Sequence, residues 1–517
     1  MSAIITDQIR ILNAKNFIAG ISTSANSYYV FVGLPNAISI QSNWDESPPS
    51  PKDSFNEEND YWNTILALKK ITSSDVRQVI RKKVWSLGSI YDYYRHDYTR
   101  TNTAPVSGAT NLYSSDFYVI NSDYRVYICL QNGTDPDNPN GRPSLDEPTF
   151  VDLEPRSAGS SGDGYIWKYL YTLKPSDVVK FESVEYAPVP SNWETSSDNF
   201  AVRNNAVDGS IKIVTITNRG VGVGTANRTY TRVPIYGDGS GAECTITVGN
   251  DQKVESITVS NQGSGYTYGN VDLVAGGVPT GSVRPTFDVI IPPKGGHGAD
   301  IYRELGAINV LLYSRIENDS QNPDFITGNQ IARIGIIENP KVYNSSQILD
   351  VDKASALYAL KLTGTGYSTA SFTPDSIITQ TIGTGVTAAG KVVSYDKTTG
   401  VLKYWQDRTL AGFNTDGTSQ INPTYGFEIN RFTSNPISGG SLVVVGNTGG
   451  TLSIDTGFSG ITTVINNRTY YLGQSFTDGL SNPEVKLHSG NIIYVDNRPS
   501  ITRSSNQKED IKVILQF

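Results

Sequence analysis

Hydrophobic positions along this chain alternate more often than they recur at helical spacing. The clearest stretch is Gly162-Asp163-Gly164-Tyr165-Ile166-Trp167-Lys168-Tyr169-Leu170-Tyr171, with a ring at every second position from Tyr165. A strand places Tyr165, Trp167, Tyr169 and Tyr171 on one face. Each ring buries roughly 150–250 Å² when covered, so a second layer is expected over them. Gly162 and Gly164 suit a turn into that strand, and Lys174-Pro175-Ser176-Asp177 a turn out of it. The same alternation predicts strands at Tyr28–Val32, within Phe117–Leu130, at Ile308–Tyr313, Ile331–Ile337, Asn491–Val495 and Ile511–Phe517. Gly390–Asp396 and Val401–Trp405, about the turn Thr399-Gly400, predict a β-hairpin, and Asn497-Arg498-Pro499 a turn.

Helical spacing is confined to the first part of the chain. It predicts helices over 5–17 (Ile5, Ile9, Leu12), over 58–70 (Trp62, Ile65, Leu66, Lys69) and over 74–84. In the last, Ser73 or Ser74 is the N-cap and Val76, Val79, Ile80 and Val84 form the apolar stripe. Its other face carries Arg77, Arg81 and Lys82, either a solvated surface or a docking patch for an acidic partner. Pro48, Pro49 and Pro51 keep the segment after Trp44 extended.

Between about 208 and 292 the pattern repeats. Val214-Thr215-Ile216-Thr217-Asn218-Arg219-Gly220-Val221-Gly222 is echoed 43 positions later by Ile257-Thr258-Val259-Ser260-Asn261-Gln262-Gly263-Ser264-Gly265. The strands Cys244–Val248 and Thr286–Ile290 repeat at nearly the same offset. Two copies are too few for a solenoid, so a small β-domain built from a duplicated unit is expected.

Composition narrows the function. At 517 residues the chain is long enough for about three domains. Charged residues are only 18%, beside 48 Gly and 30 Tyr, which suits short strands joined by many turns. A net charge of −8 argues against nucleic acid as a partner. Cys129 and Cys244 are the only cysteines, giving neither a disulfide framework nor a cysteine metal cage. Met1–Asp7 has no basic segment leading into a long apolar core, and no apolar run approaches the ~20 residues of a membrane helix. A soluble protein made in a reducing cytosol, without membrane partners, is expected.

Candidate chemistry is sparse. His96, His297 and His488 lack ligand-spaced neighbours, and no Walker loop, zincin helix or Gly-x-Ser-x-Gly elbow occurs. Asp135-Pro136-Asp137-Asn138-Pro139-Asn140-Gly141 has the flavour of a calcium loop, but Pro139 takes the third ligand position and the glycine comes one place late. His297, among Gly295, Gly296 and Gly298, fits a tight turn better than a site. Tyr91–Tyr98 mixes rings and charges as a sugar site does, although a loop over a sheet edge accounts for it better. No catalytic, cofactor-binding or metal-binding residues are assigned.

Gly162–Leu170 resembles a motif of the baseplate wedge subunit of T-even-type contractile-tailed phages, the gene product eight family. So does Ser489-Gly490-Asn491-Ile492-Ile493-Tyr494-Val495-Asp496-Asn497-Arg498-Pro499-Ser500-Ile501, with Glu509-Asp510 and a final Phe517. The first third is similar as well: a strand, Trp44, Pro48–Pro51 with Asp53-Ser54, Trp62, then a basic run ending in Trp85. Ile336-Ile337-Glu338-Asn339-Pro340 also matches. The likeness covers roughly 1–205, 300–340 and 475–517.

Residues and resemblance together predict a β-rich α+β, multi-domain protein, with a mixed N-terminal core carrying short helices and small β-domains inserted into it. The expected division is 1–205 for the N-terminal core, 206–298 for an inserted duplicated β-domain and 299–340 for core strands. An inserted β-domain at 341–474 and a C-terminal core segment at 475–517 complete it. The repeat texture is similar to that of cyanophage structural proteins. The resemblance implies a non-enzymatic subunit of a myophage virion that dimerises and joins other wedge subunits around the tail tube. The insertions would meet neighbouring subunits or peripheral fibre proteins. Arg77, Arg81 and Arg498 are the interface candidates, and Tyr165, Trp167, Tyr169 and Tyr494 the core of the family motif. Two other classes stay open: a tail-fibre-like adhesin for host-surface sugar, suggested by the tyrosines, and a polysaccharide-degrading enzyme, for which no acid pair is identifiable.

Overall fold

The computed structural model describes residues 4–23, 25–35, 43–195, 199–317, 330–405, 431–504 and 507–517. Strand dominates and the helices are short, so the β-rich α+β class is what the chain adopts. Contacts divide it into two compact units. One is Met1–Ile18 with Val76–Leu312 and Val513–Phe517, the other Ala19–Asp75 with Tyr313–Lys512.

The first unit is built on the aromatic strand. Tyr165–Thr172 pairs antiparallel with Arg125–Asn132, which pairs in turn with Tyr118–Ile120. Tyr165 stacks on Trp167 at 5.3 Å with 14° between the rings, Tyr91 meets Trp167 edge-on at 5.8 Å, and Tyr171 abuts Trp193 at 6.2 Å. Tyr169 is only half-buried, edge-on to Tyr127 at 5.7 Å. The cover extends beyond the one ring-bearing face, because Lys168 and Leu170 between the rings are buried too. Lys168 Nζ donates to the Leu153 carbonyl at 2.7 Å, and burial pushes its ammonium below the ordinary value. The Tyr91–Tyr98 loop contributes buried Tyr91, Tyr93, Tyr94 and Tyr98 to this unit.

The helix expected over 74–84 is a strand. Val76–Arg81 lies between Tyr186–Pro188 and the segment Asn309–Leu312, antiparallel to both. Val76, Gln78, Val79 and Ile80 are all buried. A stripe at i, i+3 and i+4 serves a helix, but strand partners on both sides satisfy the backbone as a ladder, and tertiary context overrides local preference.

The repeat folds as a strand exchange between its two copies. Ile213–Asn218, the first strand of copy one, pairs with Thr286–Ile290, the last of copy two. Val254–Ser264, the first strand of copy two, pairs with Ser240–Val248, the last of copy one. The registers agree at the 43-residue offset: Asn218 faces Thr286 as Asn261 faces Glu243, and Ile216 faces Phe287 as Val259 faces Cys244. A register shift follows the first of these pairs in both copies. Asn218 Oδ1 accepts from Gly220 N at 2.8 Å, and Asn261 Oδ1 from Gly263 N at 3.3 Å. Val214, Val233, Ile235, Cys244, Ile246 and Val289 belong to the core of this segment.

In the second unit a five-stranded sheet runs in the order Lys353–Ser355, Ile65–Ile71, Tyr28–Gly33, Gln330–Glu338, Asn491–Thr502. The helix expected over 58–70 is Phe55–Thr64 only, capped by Ser54. At Ile65 the chain turns into the strand beside Tyr28–Gly33, so Ile65, Leu66 and Leu68 pack as sheet residues. The turn expected at Asn497-Arg498-Pro499 is instead a bulge inside one long strand. Ile331 faces Ile501 and Arg333 faces Asn497, so Arg498, Pro499 and Ser500 stand against the single Ala332, two residues in excess.

Beyond this sheet, Tyr358–Thr365, Val401–Trp405, Val386–Asp396, Ile377–Gly383, Val443–Val445 and Thr451–Ile454 pair in succession, and the last returns to the first. Six antiparallel strands thus close on themselves around Leu360, Leu362, Ile378, Val392, Leu402 and Leu452, which removes most exposed edges. The hairpin expected at 390–405 is part of this ring.

Candidate interaction surfaces

Two stretches far apart in sequence build a polar joint in the second unit. The indole N–H of Trp44 donates to the Arg498 carbonyl at 2.8 Å. Asn497 Nδ2 donates to the Pro49 carbonyl at 2.9 Å, and Ser500 N to Asp45 Oδ1 at 2.9 Å. The bulge thus places the Asn497 side chain and the Arg498 and Ser500 backbone against Trp44, Asp45 and Pro49. Ser500, through its hydroxyl and its N–H, holds the Asp45 carboxyl below its ordinary range.

Arg333 is the centre of this joint, and sequence reasoning missed it. It is 1% exposed, with its guanidinium 4.8 Å from the Tyr61 ring and 5.4 Å from that of Trp44. Nε donates to Asn497 Oδ1 at 2.8 Å and Nη1 to Thr64 Oγ1. Burial pushes its pKa down to about 10, still leaving the cation intact near neutrality. The available signal was an arginine inside the apolar run Ile331-Ala332-Arg333-Ile334-Gly335-Ile336.

Arg498 itself points outward, its side chain 59% exposed and paired to Asp496 at 2.5 Å. Tyr494, opposite Ile336, is partly buried, and desolvation raises its phenol.

In the first unit the basic run is largely engaged within the fold. Arg77 pairs with Asp177 at 3.4 Å and lies over the Phe181 ring at 4.8 Å. Lys82 pairs with Glu182 at 2.6 Å and Lys83 with Asp116 at 2.5 Å. Both Asp177 and Phe181 belong to the helix Pro175–Phe181, which the expected turn at Lys174–Asp177 opens. Arg81 remains exposed at the strand end. Arg77, Tyr169, Thr172, Lys174, Asp177 and Pro190 line part of a polar cleft of about 330 Å³.

The remaining motifs have internal explanations. His297 Nδ1 lies 2.5 Å from Glu304 Oε1, Gly298 N donates to Glu304 Oε2 at 2.7 Å, and the Tyr94 ring meets His297 edge-on at 4.7 Å. The turn holds Gly295, Gly296 and Gly298 at φ near +90°, so tight-turn geometry is what the histidine serves. The Asp135 carboxylate is consumed by Asp137 N, Asn138 and Arg142. Among the described residues no cluster of three or more His, Cys, Asp or Glu side chains is placed to hold a metal. None of their helices is long and apolar enough to cross a membrane.

Residues 3–153 match the family model described as Bacteriophage T4, Gp8. These residues carry the gp8 family's pattern. Over 221 residues the chain is 25% identical to the baseplate wedge protein gp8 of Enterobacteria phage T4, covering 38% of this chain and 63% of that relative. The chain thus spans less than two thirds of the relative's own length. Within the family-model match fall Trp44, Trp62 and the basic run ending at Trp85. The Gly162–Leu170 and Ser489–Ile501 motifs lie beyond it.

Proposed function

We propose that this protein is a structural subunit of a contractile-tail baseplate wedge, made in the host cytoplasm and carried in the virion. It assembles by contacts with other wedge subunits and performs no catalysis. The observation that carries this reading is the gp8 pattern over residues 3–153. The Trp44–Arg498 joint supports it, since the amino-terminal and carboxy-terminal stretches that resemble the family meet in one built structure.

In this role the protein pairs as a homodimer within each wedge. Arg81 and Arg498 are the exposed cations offered to acidic surfaces of neighbouring subunits, and Arg77 shapes the cleft beside Asp177. The segments 206–298 and 341–474 are insertions on the family core that reach adjacent subunits or peripheral fibre proteins. Electrostatic contacts of this kind steer association and fix orientation more than they set affinity.

The test is native mass spectrometry of the purified chain with the other wedge proteins of the same phage. A dimer that captures wedge partners is expected, with capture weakened at least several-fold by Arg81→Glu combined with Arg498→Glu. A lone trimer would point to an adhesin. Purified virions lacking the protein would sink the proposal.

A further inference from the structure

The helix Asp7–Ile21 has two apolar sides, and the fold buries one of them. Ile5, Ile9 and Leu12 carry the spacing that predicts this helix, yet all three stand in solvent. Ile9 is 48% exposed, Leu12 54%, and Ile5, just ahead of the first turn, 65%. The side chains it buries are Ile11 and Ala14, and Ile11 belongs to the core of the aromatic unit. At about 3.6 residues per turn, Ile9 with Leu12 and Ile11 with Ala14 point in nearly opposite directions.

The outward side is uncharged. Thr6, Gln8, Asn13 and Asn16 lie along it or at its borders, and all four are exposed. The charges of the helix are engaged within the chain. Asp7 pairs with Arg10 at 3.9 Å, and Lys15 reaches Glu194 at 3.7 Å and Asp300 at 3.8 Å while lying 4.6 Å over the Tyr302 ring. Single exposed aliphatic side chains are ordinary on any protein. A row of them on one helix, with no charge among them, marks a contact surface.

The spacing points to a helix as the occupant. Ile5, Ile9, Leu12 and Asn16 follow one another at intervals of four, three and four, which are the alternating d and a positions of a coiled-coil seam. Ile9 and Asn16 stand at a, Ile5 and Leu12 at d. A β-branched residue and an asparagine at a, with leucine at d, favour two parallel chains in register. Among the described residues every other α-helix has 10 residues or fewer. The longest of those, Phe55–Thr64, exposes only Phe55 of its large apolar side chains. Within a homodimer, the helix of matching length and stripe is therefore Asp7–Ile21 of the second copy. An uncharged face meets its own copy without like-charge opposition. Covering both faces removes on the order of 1,000 Å² at most from water, the lower end for a specific interface, so the pairing is reversible.

We propose that the helix Asp7–Ile21 pairs in parallel with the same helix of a second copy, Ile9 and Leu12 packing on their counterparts and Asn16 fixing the register. This rests on the homodimer of the proposed function and assigns its seam.

Sedimentation velocity of the full chain over a range of concentrations tests it. A reversible dimer is expected, and Ile9→Gln with Leu12→Gln should raise its dissociation constant about tenfold or more. The melting temperature of the dilute chain should hold, because both side chains are exposed. Asn16→Val should tighten association, since a polar a position costs stability, and a misfolded variant would not show that gain. Cys129 and Cys244 are buried, so an introduced cysteine is the accessible thiol. Asn16→Cys should give a disulfide-linked dimer under mild oxidation, and Val184→Cys, 93% exposed elsewhere in the chain, should not. A chain that stays monomeric at every concentration overturns the proposal, as does a dimer that the Gln double variant leaves intact. So does loss of capture of a purified wedge protein by that variant while its dimer persists. Detection of the chain in purified virions tests the wedge role separately, so a failed seam and a failed wedge role are told apart.

Discussion

Trp44 and Arg498 lie 454 positions apart, yet the Trp44 indole N–H donates to the Arg498 carbonyl at 2.8 Å. The bond closes a joint in which a proline-stiffened segment is laid against a bulged strand. Trp44→Phe keeps most of the ring and removes the donor, leaving a carbonyl unsatisfied. It should cost about 1–3 kcal/mol in urea denaturation. An unchanged midpoint would mean that water replaces the indole without loss.

Arg333 supplies the second prediction. Its planar guanidinium fits between two rings while reaching Asn497 and Thr64, a geometry that an ammonium does not reproduce. Both Arg333→Lys and Arg333→Leu should destabilise the second unit, each by about 2–4 kcal/mol. Full retention of stability by the lysine variant would show that charge alone suffices.

Trp167 is fully buried against Tyr165 and Tyr91. Trp167→Ala should cost about 3–5 kcal/mol. Trp167→Phe should cost less than half of that, since the indole N–H has no hydrogen-bond partner to lose. Thermal melts of the two variants separate ring packing from polar effects.

Glu154 ties the repeat to the aromatic unit, accepting from Lys212 Nζ at 2.8 Å, Gln262 Nε2 at 2.8 Å and Asn205 Nδ2 at 2.9 Å. Burial alone would raise its carboxyl, but these three donors outweigh burial and bring it down to about 2. A carboxyl depressed in the folded state contributes stability above its ordinary value near 4.5, lost as pH falls toward 2. Glu154→Gln should therefore flatten the pH dependence of unfolding across that window and leave stability above pH 6 little changed relative to its own acid value.

The repeat makes a symmetric prediction. Asn218 and Asn261 each hold a glycine turn through Oδ1, so Asn218→Ala and Asn261→Ala should each cost about 1 kcal/mol. Costs that differ severalfold would show that the two copies have diverged in what they need from this bond.

Part of the fold was legible in the sequence because it is local. Strict alternation identified the Tyr165 strand, and the recurring Asn-x-Gly-x-Gly pattern announced two equivalent turns. What failed was equally specific. Val76–Val84 carries an apolar spacing that a helix and a doubly buried strand both satisfy, and Ile65–Ile71 continues a helical pattern through a sheet. In both, the choice was made by neighbouring strands contributed from remote parts of the chain.

The sequence by itself determined which residues must be covered, where glycine permits a turn, and that two segments of one chain share a single design. Hydrophobic period and backbone freedom are properties of a few consecutive residues, so they are readable there. Tertiary structure alone decided that the basic run is spent on Asp177, Glu182 and Asp116, that copy one pairs with copy two, and that Arg333 joins Trp44 to Asn497. Ion pairs, strand partners and buried donors depend on which distant segments meet, and no local pattern specifies that.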